Sequence, residues 1–218
     1  MSPASGRLIL ASGSPQRRRL INLVKGQRRI EVIPPDDPDE QGFSDLSEFN
    51  AIVDRLRSVT ATKLENVVAQ LLDQQEDLNS VLILAADTVI VAGNTDSGFK
   101  VLGKPPDQPD WRDTVRNWFL NDLAGTDHEA VTMVMMQNGS RDRRERISRT
   151  IVSFHADIVD QVEWYLATGE SVGKAGGYAL QGAGSLFVSS IRGSVSNVIG
   201  LPLEVVRDML EDFSHVGQ

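Results

Sequence analysis

The feature that most constrains the fold is an apolar run at residues 81–92, VLILAADTVIVA, which is interrupted by one charged residue, Asp87. A run of this length and composition predicts a central strand that is buried on both faces of a sheet. An ionised carboxylate inside such a strand is costly in free energy unless it is paired or bound to a metal ion. Asp87 is therefore either a functional carboxylate or an acidic residue that caps or turns the strand.

The flanking patterns predict alternating strands and helices. We expect strands at residues 7–11, 30–33, 81–92, 100–103, 129–137 and 147–155, and helices at 46–78, around 109–123, at 158–168 and at 203–213. Residues 173–190 are Gly-rich and then β-like. Because no repeat or clean linker interrupts this pattern, we predict one continuous α/β domain over residues 1–218, with an ordered part at about 6–213.

The first strand leads through a Gly/Ser turn into a basic helix. Ser14 suits the N-cap and Pro15 the first helical turn, and the apolar side of this helix is predicted to carry Leu20, Ile21, Leu23 and Val24. A loop that opens a helix presents backbone N–H groups to an anion. The arginines at 17–19 could bind phosphate or face solvent, and three adjacent side chains cannot all face the same way.

Two later segments could also contact a ligand. Lys104 lies between Gly103 and Pro105, which would hold its backbone still, although a surface turn lysine is the alternative. Residues 173–184, GKAGGYALQGAG, allow close backbone approach to a ligand or form a simple turn. They match neither the P-loop nor the dinucleotide-binding fingerprint.

Composition excludes several kinds of site. Cysteine is absent and the three histidines (His128, His155 and His215) lie far apart, so a catalytic metal would be held mainly by oxygen, which favours Mg²⁺ or Mn²⁺. The net charge of −8 argues against binding to nucleic acid or to an anionic membrane. The basic cluster at 141–146 contains acids and predicts a solvated hairpin or loop. Neither a signal peptide nor a membrane span is recognisable, so we expect a cytoplasmic protein.

Five segments in order resemble the motifs of the Maf family, also called septum-formation inhibitor proteins. They are LILASGSP at 8–15, ADTV at 86–89, GKP at 103–105, KAGGYALQG at 174–182 and NVIGLPL at 197–203. The resemblance implies an α/β fold with a mixed twisted sheet flanked by helices and two lobes around a central cleft, similar to that of inosine triphosphate pyrophosphatase. It implies a hydrolase that splits a nucleoside triphosphate into the monophosphate and diphosphate with Mg²⁺ or Mn²⁺. A homodimer is compatible with it.

The resemblance also implies roles for individual residues. Asp87 would be the catalytic base and a metal ligand, and Glu40 a second metal ligand, with Asp36, Asp37 and Asp39 as neighbouring candidates. Lys63, Lys104 and Arg17 would face the triphosphate, whereas Thr88 and Gln181 would lie where the base is selected. The full set expected to bind substrate is Ser12, Ser14, Gln16, Arg17, Lys63, Thr88, Lys104, Lys174 and Gln181.

The chain departs from the family pattern in ways that bear on the substrate. Gln16 replaces the first Arg of the Ser-Pro-Arg-Arg pattern in the dTTP/UTP branch. The branch that resembles 7-methyl-GTP pyrophosphatases has the pattern Ser-Pro-Trp-Arg-Arg. Here Gln16 stands in the position of the Trp, and two arginines follow it as in that pattern. Residues 86–88 and 178–181 follow the dTTP/UTP branch, and Gly173 stands where Asp is common. We therefore expect dTTP, UTP or modified nucleotides as substrates.

Two other functions fit these residues less well. A nucleotide-binding regulator of cell division without turnover is the alternative, although such a binder need not keep Asp87, Lys63 and Lys104. A nucleic-acid-binding module is disfavoured by the acidic balance and by the lack of an aromatic stacking platform.

Overall fold

The computed structural model describes residues 6–36, 42–106, 110–139 and 142–215. Its elements are β1 (Arg7–Leu10), α1 (Pro15–Val24), β2 (Arg29–Val32), α2 (Phe49–Asp73), β3 (Val81–Asn94), β4 (Gly98–Leu102), α3 (Trp111–Trp118), β5 (Asp127–Asn138), β6 (Asp142–Phe154), α4 (Val159–Thr168), β7 (Val188–Arg192), α5 (Val195–Ile199) and α6 (Leu203–His215). A π-helical turn, Phe119–Leu123, continues α3. Within these ranges no helix combines the length and apolar character needed to cross a membrane.

The strands form one mixed sheet of seven strands. Its order is β2-β1-β3-β5-β6-β7, and β4 pairs with β3 away from this path. β1 runs parallel to β2 and β3, whereas the pairs that β3 makes with β4 and β5, and those along β5, β6 and β7, are antiparallel. The predicted α/β fold with a mixed twisted sheet flanked by helices is therefore confirmed.

The long strand β3 has one continuous edge and one interrupted edge. β5 pairs with it from Leu82 to Val91. Because β4 pairs with residues 90–94 while β5 also pairs at 90 and 91, β4 must lie on the opposite edge, which β1 occupies over 81–84. Residues 85–89 lie between these two partners. Asp87 and Thr88 are half-buried, and every other residue from 81 to 92 is buried.

Three apolar clusters cover the sheet, and the boundary between two of them falls at Asp87 and Thr88. One face of β3 packs against α2 on both sides of Asp87, through Ile83 and Ala85 before it and Val89 and Val91 after it. The other face packs against α1 and α6 up to Ala86 and then joins the cluster of α3 and α4 from Ile90 onward. The helices that cover this face therefore change at Asp87 and Thr88, which leaves space for a pocket.

Some sequence-based expectations were wrong in detail. Helix α2 is shorter than the predicted 46–78, because the chain turns after Asp73 and Gln75 adopts a positive φ of 60°. Leu23 is 73% exposed, because it lies outside the arc of α1 that carries Leu20, Ile21 and Val24.

The basic cluster at 141–146 lies in a hairpin, one of the two predicted forms. The part that the structure describes begins strand β6, which pairs antiparallel with β5, so this strand starts earlier than the predicted residue 147. Arg143 pairs with Glu65 of α2, and Arg144 and Arg146 pair with Asp212 of α6. These ion pairs, together with the ladder to β5, accommodate the charges in a strand.

One buried histidine links this fold to pH. His128 of β5 is 2% exposed, packs edge-on against Phe154 and Tyr178, and its Nε2 shares a hydrogen bond of 2.9 Å with the Tyr178 hydroxyl. Burial lowers the pKa of His128 to about 4, against a smaller opposing effect of Asp127. The unfolded chain, whose histidine has a pKa of about 6.5, binds more protons across this window.

We expect the free energy of unfolding to fall as the pH drops from about 6.5 towards 4. His128 contributes about 2 kcal/mol of this loss at pH 5, from the difference between the folded and unfolded pKa values. Urea unfolding at pH 7 and pH 5 should show that His128→Gln loses less stability between the two pH values than the wild-type protein does.

His155→Gln serves as the matched control, because His155 is exposed. It should keep the pH dependence of the wild-type protein. Equal pH dependence in all three proteins would contradict the assignment to His128.

Candidate active site

A pocket of about 470 Å³ opens beside the interrupted edge of β3. This volume lies within the roughly 300–1,000 Å³ typical of small-molecule sites. Its walls come from the turn and first residues of α1, Pro34 and Pro35, α2, β3, the segment after β4, the Gly-rich segment and the end of α5. Elements that are distant in sequence therefore meet at one point.

The predicted substrate-binding residues all line this pocket. They are Ser12, Ser14, Gln16, Arg17, Lys63, Thr88, Lys104, Lys174 and Gln181, and Asp87 lies among them. Glu40, the predicted second metal ligand, lies outside the described residues, as do Asp37 and Asp39.

The Asp87 carboxylate is held between two cations. Its side chain is 13% exposed, its Oδ2 lies 3.0 Å from Lys63 Nζ and its Oδ1 lies 3.4 Å from Arg17 Nη2. Burial alone would raise the pKa of Asp87, but the charges of Arg17, Lys63 and Lys104, with the Lys63 hydrogen bond, outweigh it and lower the pKa below its ordinary value. Asp87 is therefore ionised at neutral pH.

Arg17 contacts four residues of the pocket wall. Its Nε donates to the Gly200 carbonyl at 2.9 Å and its Nη1 to Ser12 Oγ at 3.4 Å. Its Nη2 donates to Asp87 Oδ1 at 3.4 Å and to Thr88 Oγ1 at 3.3 Å. The planar fork of the guanidinium suits such simultaneous contacts. Arg17 thus positions Asp87 in addition to lining the pocket.

The turn before α1 is built as the sequence predicted. Ser14 caps the helix, since its Oγ accepts from the Arg17 backbone N–H at 3.4 Å. The Ser14 backbone N–H donates to Ser12 Oγ at 3.2 Å. The Ser14 hydroxyl in turn donates to Gln16 Oε1 at 3.2 Å, which fixes Gln16 against the cap. The positive end of the α1 dipole therefore faces the pocket.

Two further lysines line the pocket. Lys104 is exposed and Lys174 is half-buried, and the Gly176 N–H donates to the Gly103 carbonyl at 3.0 Å between their segments. Gly176 has a φ of +69°, and a Cβ there would lie 2.9 Å from Ile90 Cγ1. Only glycine lets this segment approach β3 so closely.

Sequence reasoning missed the apolar part of the wall. Ile90 of β3 and Val198 and Ile199 of α5 line the pocket beside Gly200. α5 is anchored by Asn197, whose buried Nδ2 donates to the Ala130 carbonyl at 2.9 Å and to Thr150 Oγ1 at 3.0 Å. The NVIGLPL segment was recognised in the sequence, but nothing in its composition indicated contact with Arg17.

The donor set of the pocket fits one mode of metal binding. Among the described residues, no group of three or more His, Cys, Asp or Glu side chains could hold a metal ion, and Asp87 is the one carboxylate in the described wall. Mg²⁺ is commonly held by one or two carboxylates together with substrate phosphates and water. Asp87 therefore suits an ion shared with a polyphosphate and does not form a closed protein site.

The chain is similar to known proteins over most of its length. A family model described as Maf-like protein matches residues 7–213. The dTTP/UTP pyrophosphatase of Syntrophus aciditrophicus is 34% identical over 94% of this chain and 89% of its own. The dTTP/UTP pyrophosphatase of Anaeromyxobacter dehalogenans strain 2CP-C is 36% identical over 90% of this chain and 89% of its own.

Among solved structures, the Staphylococcus aureus Ham1 protein matches 69% of this chain and 72% of its own, with 12% identity and a TM-score of 0.41. A likeness this distant adds nothing to the assignment. The family model and these two relatives each span nearly the whole chain. The chain therefore belongs to the Maf family.

Proposed function

We propose that this protein hydrolyses nucleoside triphosphates to the monophosphate and diphosphate, and that dTTP and UTP are among its substrates. The observation that carries the proposal is the ionised, half-buried Asp87 between Arg17 and Lys63 in a pocket that Lys104 and Lys174 also line. Relatives named dTTP/UTP pyrophosphatase support the reaction and the choice of base.

The cations of the pocket explain how it would hold a triphosphate. A triphosphate carries about four negative charges near neutral pH, which basic side chains and metal ions offset. Lys63, Lys104 and Lys174 come from separate elements and can contact different phosphate groups. The turn before α1 adds the positive end of a helix dipole. The phosphate chain would therefore lie along this side of the pocket.

The reaction itself requires one bond to form and one to break. Water attacks the α-phosphorus, the bond from this phosphorus to the bridging oxygen breaks, and pyrophosphate leaves. Asp87 accepts the proton that the water gives up. In the free protein the cations lower the pKa of Asp87, which weakens it as a base. Bound phosphates would compete for these cations, which opposes their lowering of the Asp87 pKa.

A divalent cation completes the charge balance. When bound, it neutralises phosphate charge and favours loss of pyrophosphate. We infer that it is Mg²⁺ or Mn²⁺ and that Asp87 is a protein ligand. Glu40 stays a prediction for a second ligand, and the homodimer and the cytoplasmic location also stay predictions.

The apolar wall and its polar neighbours suit a nucleobase. Ile90, Val198 and Ile199 offer a surface for a planar ring. Thr88 is fixed by Thr132, since their hydroxyl oxygens lie 2.8 Å apart. Gln181 is exposed at the rim and can both donate and accept hydrogen bonds. We infer that Thr88 and Gln181 help to select the base.

We expect Asp87→Asn to lower kcat by roughly 10²-fold or more, which is the lower end of general-base effects. Pyrophosphate release from dTTP, UTP, the other canonical nucleotides and modified nucleotides is measured with Mg²⁺ or Mn²⁺. Asp208→Asn is the control, because Asp208 lies on the exposed surface of α6 and does not line the pocket.

Two outcomes would overturn parts of this scheme. Turnover of Asp87→Asn close to that of the wild-type protein would remove Asp87 as the base. Tight nucleotide binding by the wild-type protein, with no pyrophosphate released from any nucleotide, would indicate a nucleotide-binding regulator and not an enzyme.

A second expectation concerns Arg17. Arg17→Gln should raise the pKa of Asp87, because burial is then opposed by fewer cations, and the carboxyl resonance of Asp87 followed by NMR through a pH titration measures this shift. The same variant should lower kcat/KM about tenfold or more, as expected for a lost charge-assisted hydrogen bond. Arg18→Gln removes an exposed neighbouring charge and should change neither the pKa of Asp87 nor kcat/KM. An unchanged titration of Asp87 in Arg17→Gln would refute the coupling.

A further inference from the structure

The segment at residues 178–184 contains part of the pocket wall but no regular strand. Tyr178, Ala179, Leu180 and Gln181 line the pocket, and a short 3₁₀ turn begins at Ala183. The segment's own backbone bonds are few: the Gly182 N–H donates to the Ala179 carbonyl at 3.2 Å, and the Ser185 N–H to the Gly182 carbonyl at 3.1 Å. Its position must therefore depend on contacts from outside the segment.

Glu170 supplies two of these contacts from just beyond the end of α4. Its Oε1 accepts from the Ala183 N–H at 3.1 Å, and its Oε2 accepts from the Gly184 N–H at 2.9 Å. The Glu170 backbone is itself fixed, since its N–H donates to Thr168 Oγ1 at 3.2 Å. Hydrogen bonds from backbone N–H groups to a carboxylate are stronger than those between neutral groups. Glu170 does not line the pocket.

Tyr165 of α4 fastens the other end of the segment. Its ring is fully buried, stacks on Phe119 and packs edge-on against Phe187. Its hydroxyl accepts from the Ala179 N–H at 3.3 Å. Burial, and then the charge of the nearby Glu170, raise the pKa of Tyr165. One helix end thus holds the segment at Ala179 and again at Ala183 and Gly184.

The backbone at Gly182 lies directly against the Glu170 carboxylate. A Cβ at residue 182 would lie 1.6 Å from Glu170 Oε1, although the backbone at Gly182 has a negative φ that other residues can adopt. The Glu170 carboxylate therefore leaves no room for a side chain at residue 182. A methyl group at this position would displace Glu170 from both N–H groups.

We propose that Glu170 is a positioning residue, which fixes the segment at 178–184 and so sets where Gln181 meets the nucleobase. This inference rests on the proposed function, because it assigns the segment to recognition of the base. Glu170 acts through the backbone and touches neither the phosphates nor the reacting atoms. It governs substrate affinity and base selectivity, whereas Asp87 governs the chemical step.

Steady-state kinetics of Glu170→Ala with dTTP, UTP and a purine nucleotide test this role. KM for the preferred nucleotide should rise roughly tenfold, as for the loss of a hydrogen bond to a charged group. The ratio of kcat/KM for this nucleotide to kcat/KM for the purine nucleotide should fall. kcat should change by less than about threefold, because the bound substrate and the transition state lose the same binding energy.

Gly182→Ala provides a test from the other side of the contact. It should raise KM as Glu170→Ala does, and the double variant should be no worse than either single one, because each breaks the same contact. Glu163→Ala is the matched control, since Glu163 lies on the exposed side of α4, pairs with Arg116 and should keep wild-type kinetics. Additive effects of the two single substitutions would contradict the proposal.

Amide hydrogen exchange tests, without any turnover, whether Glu170 fixes the segment at 178–184. The amides of Ala183 and Gly184 should exchange about tenfold or more faster in Glu170→Ala than in the wild-type protein, while those of β3 should not change. Unchanged exchange, or faster exchange with unchanged KM and selectivity, would overturn the inference and leave the proposed function standing. A wild-type protein that releases no pyrophosphate would instead refute the proposed function, and the exchange result would still decide whether Glu170 fixes the segment.

Discussion

The charge of Asp87 is the constraint on which the rest of this structure depends. It lies in the central strand, where every neighbour from Val81 to Ala92 except Thr88 is buried. Lys63 from α2 and Arg17 from α1 compensate it at 3.0 and 3.4 Å. A buried charge that loses a partner is strongly destabilising, so α1 and α2 must both dock in register with β3. The carboxylate thereby fixes two helices to one point of the sheet.

Under the proposed function, the same arrangement would prepare the pocket for an anion. Cations held close together repel one another, and Asp87 reduces this repulsion while the pocket holds no nucleotide. Arg17 is oriented in advance by Gly200 and Ser12, so little side-chain freedom remains to be lost when phosphate binds. Stability and recognition therefore use the same side chains, with Asp87 as the partner that a polyphosphate would partly replace.

The sequence predicted the parts of this arrangement that depend on local pattern. The central strand, the capped turn at Ser14 and the importance of Asp87 follow from apolar runs, from N-cap chemistry and from the cost of a buried charge. The interrupted edge of β3 could not be predicted, because it depends on where β1 and β4 stop pairing, which no local pattern specifies. The five-residue helix α5 is too short for a periodic signal. Arg17 bonds to residues from separate parts of the chain, and the ion pairs of the β6 arginines with α2 and α6 are likewise not visible in the local sequence.

The continuous edge of β3 also limits how the protein can move. β5 pairs with β3 on both sides of Asp87, from Leu82 to Val91, so the helices that flank the pocket are carried by one unbroken pair of strands. A hinge rotation that closed the pocket as two rigid halves would have to bend this ladder, whereas side chains and the segments at the rim can adjust to a ligand without distorting it. Such a pocket would discriminate among nucleotides by how well each fits an existing shape, and less by a closure that only the correct one could drive.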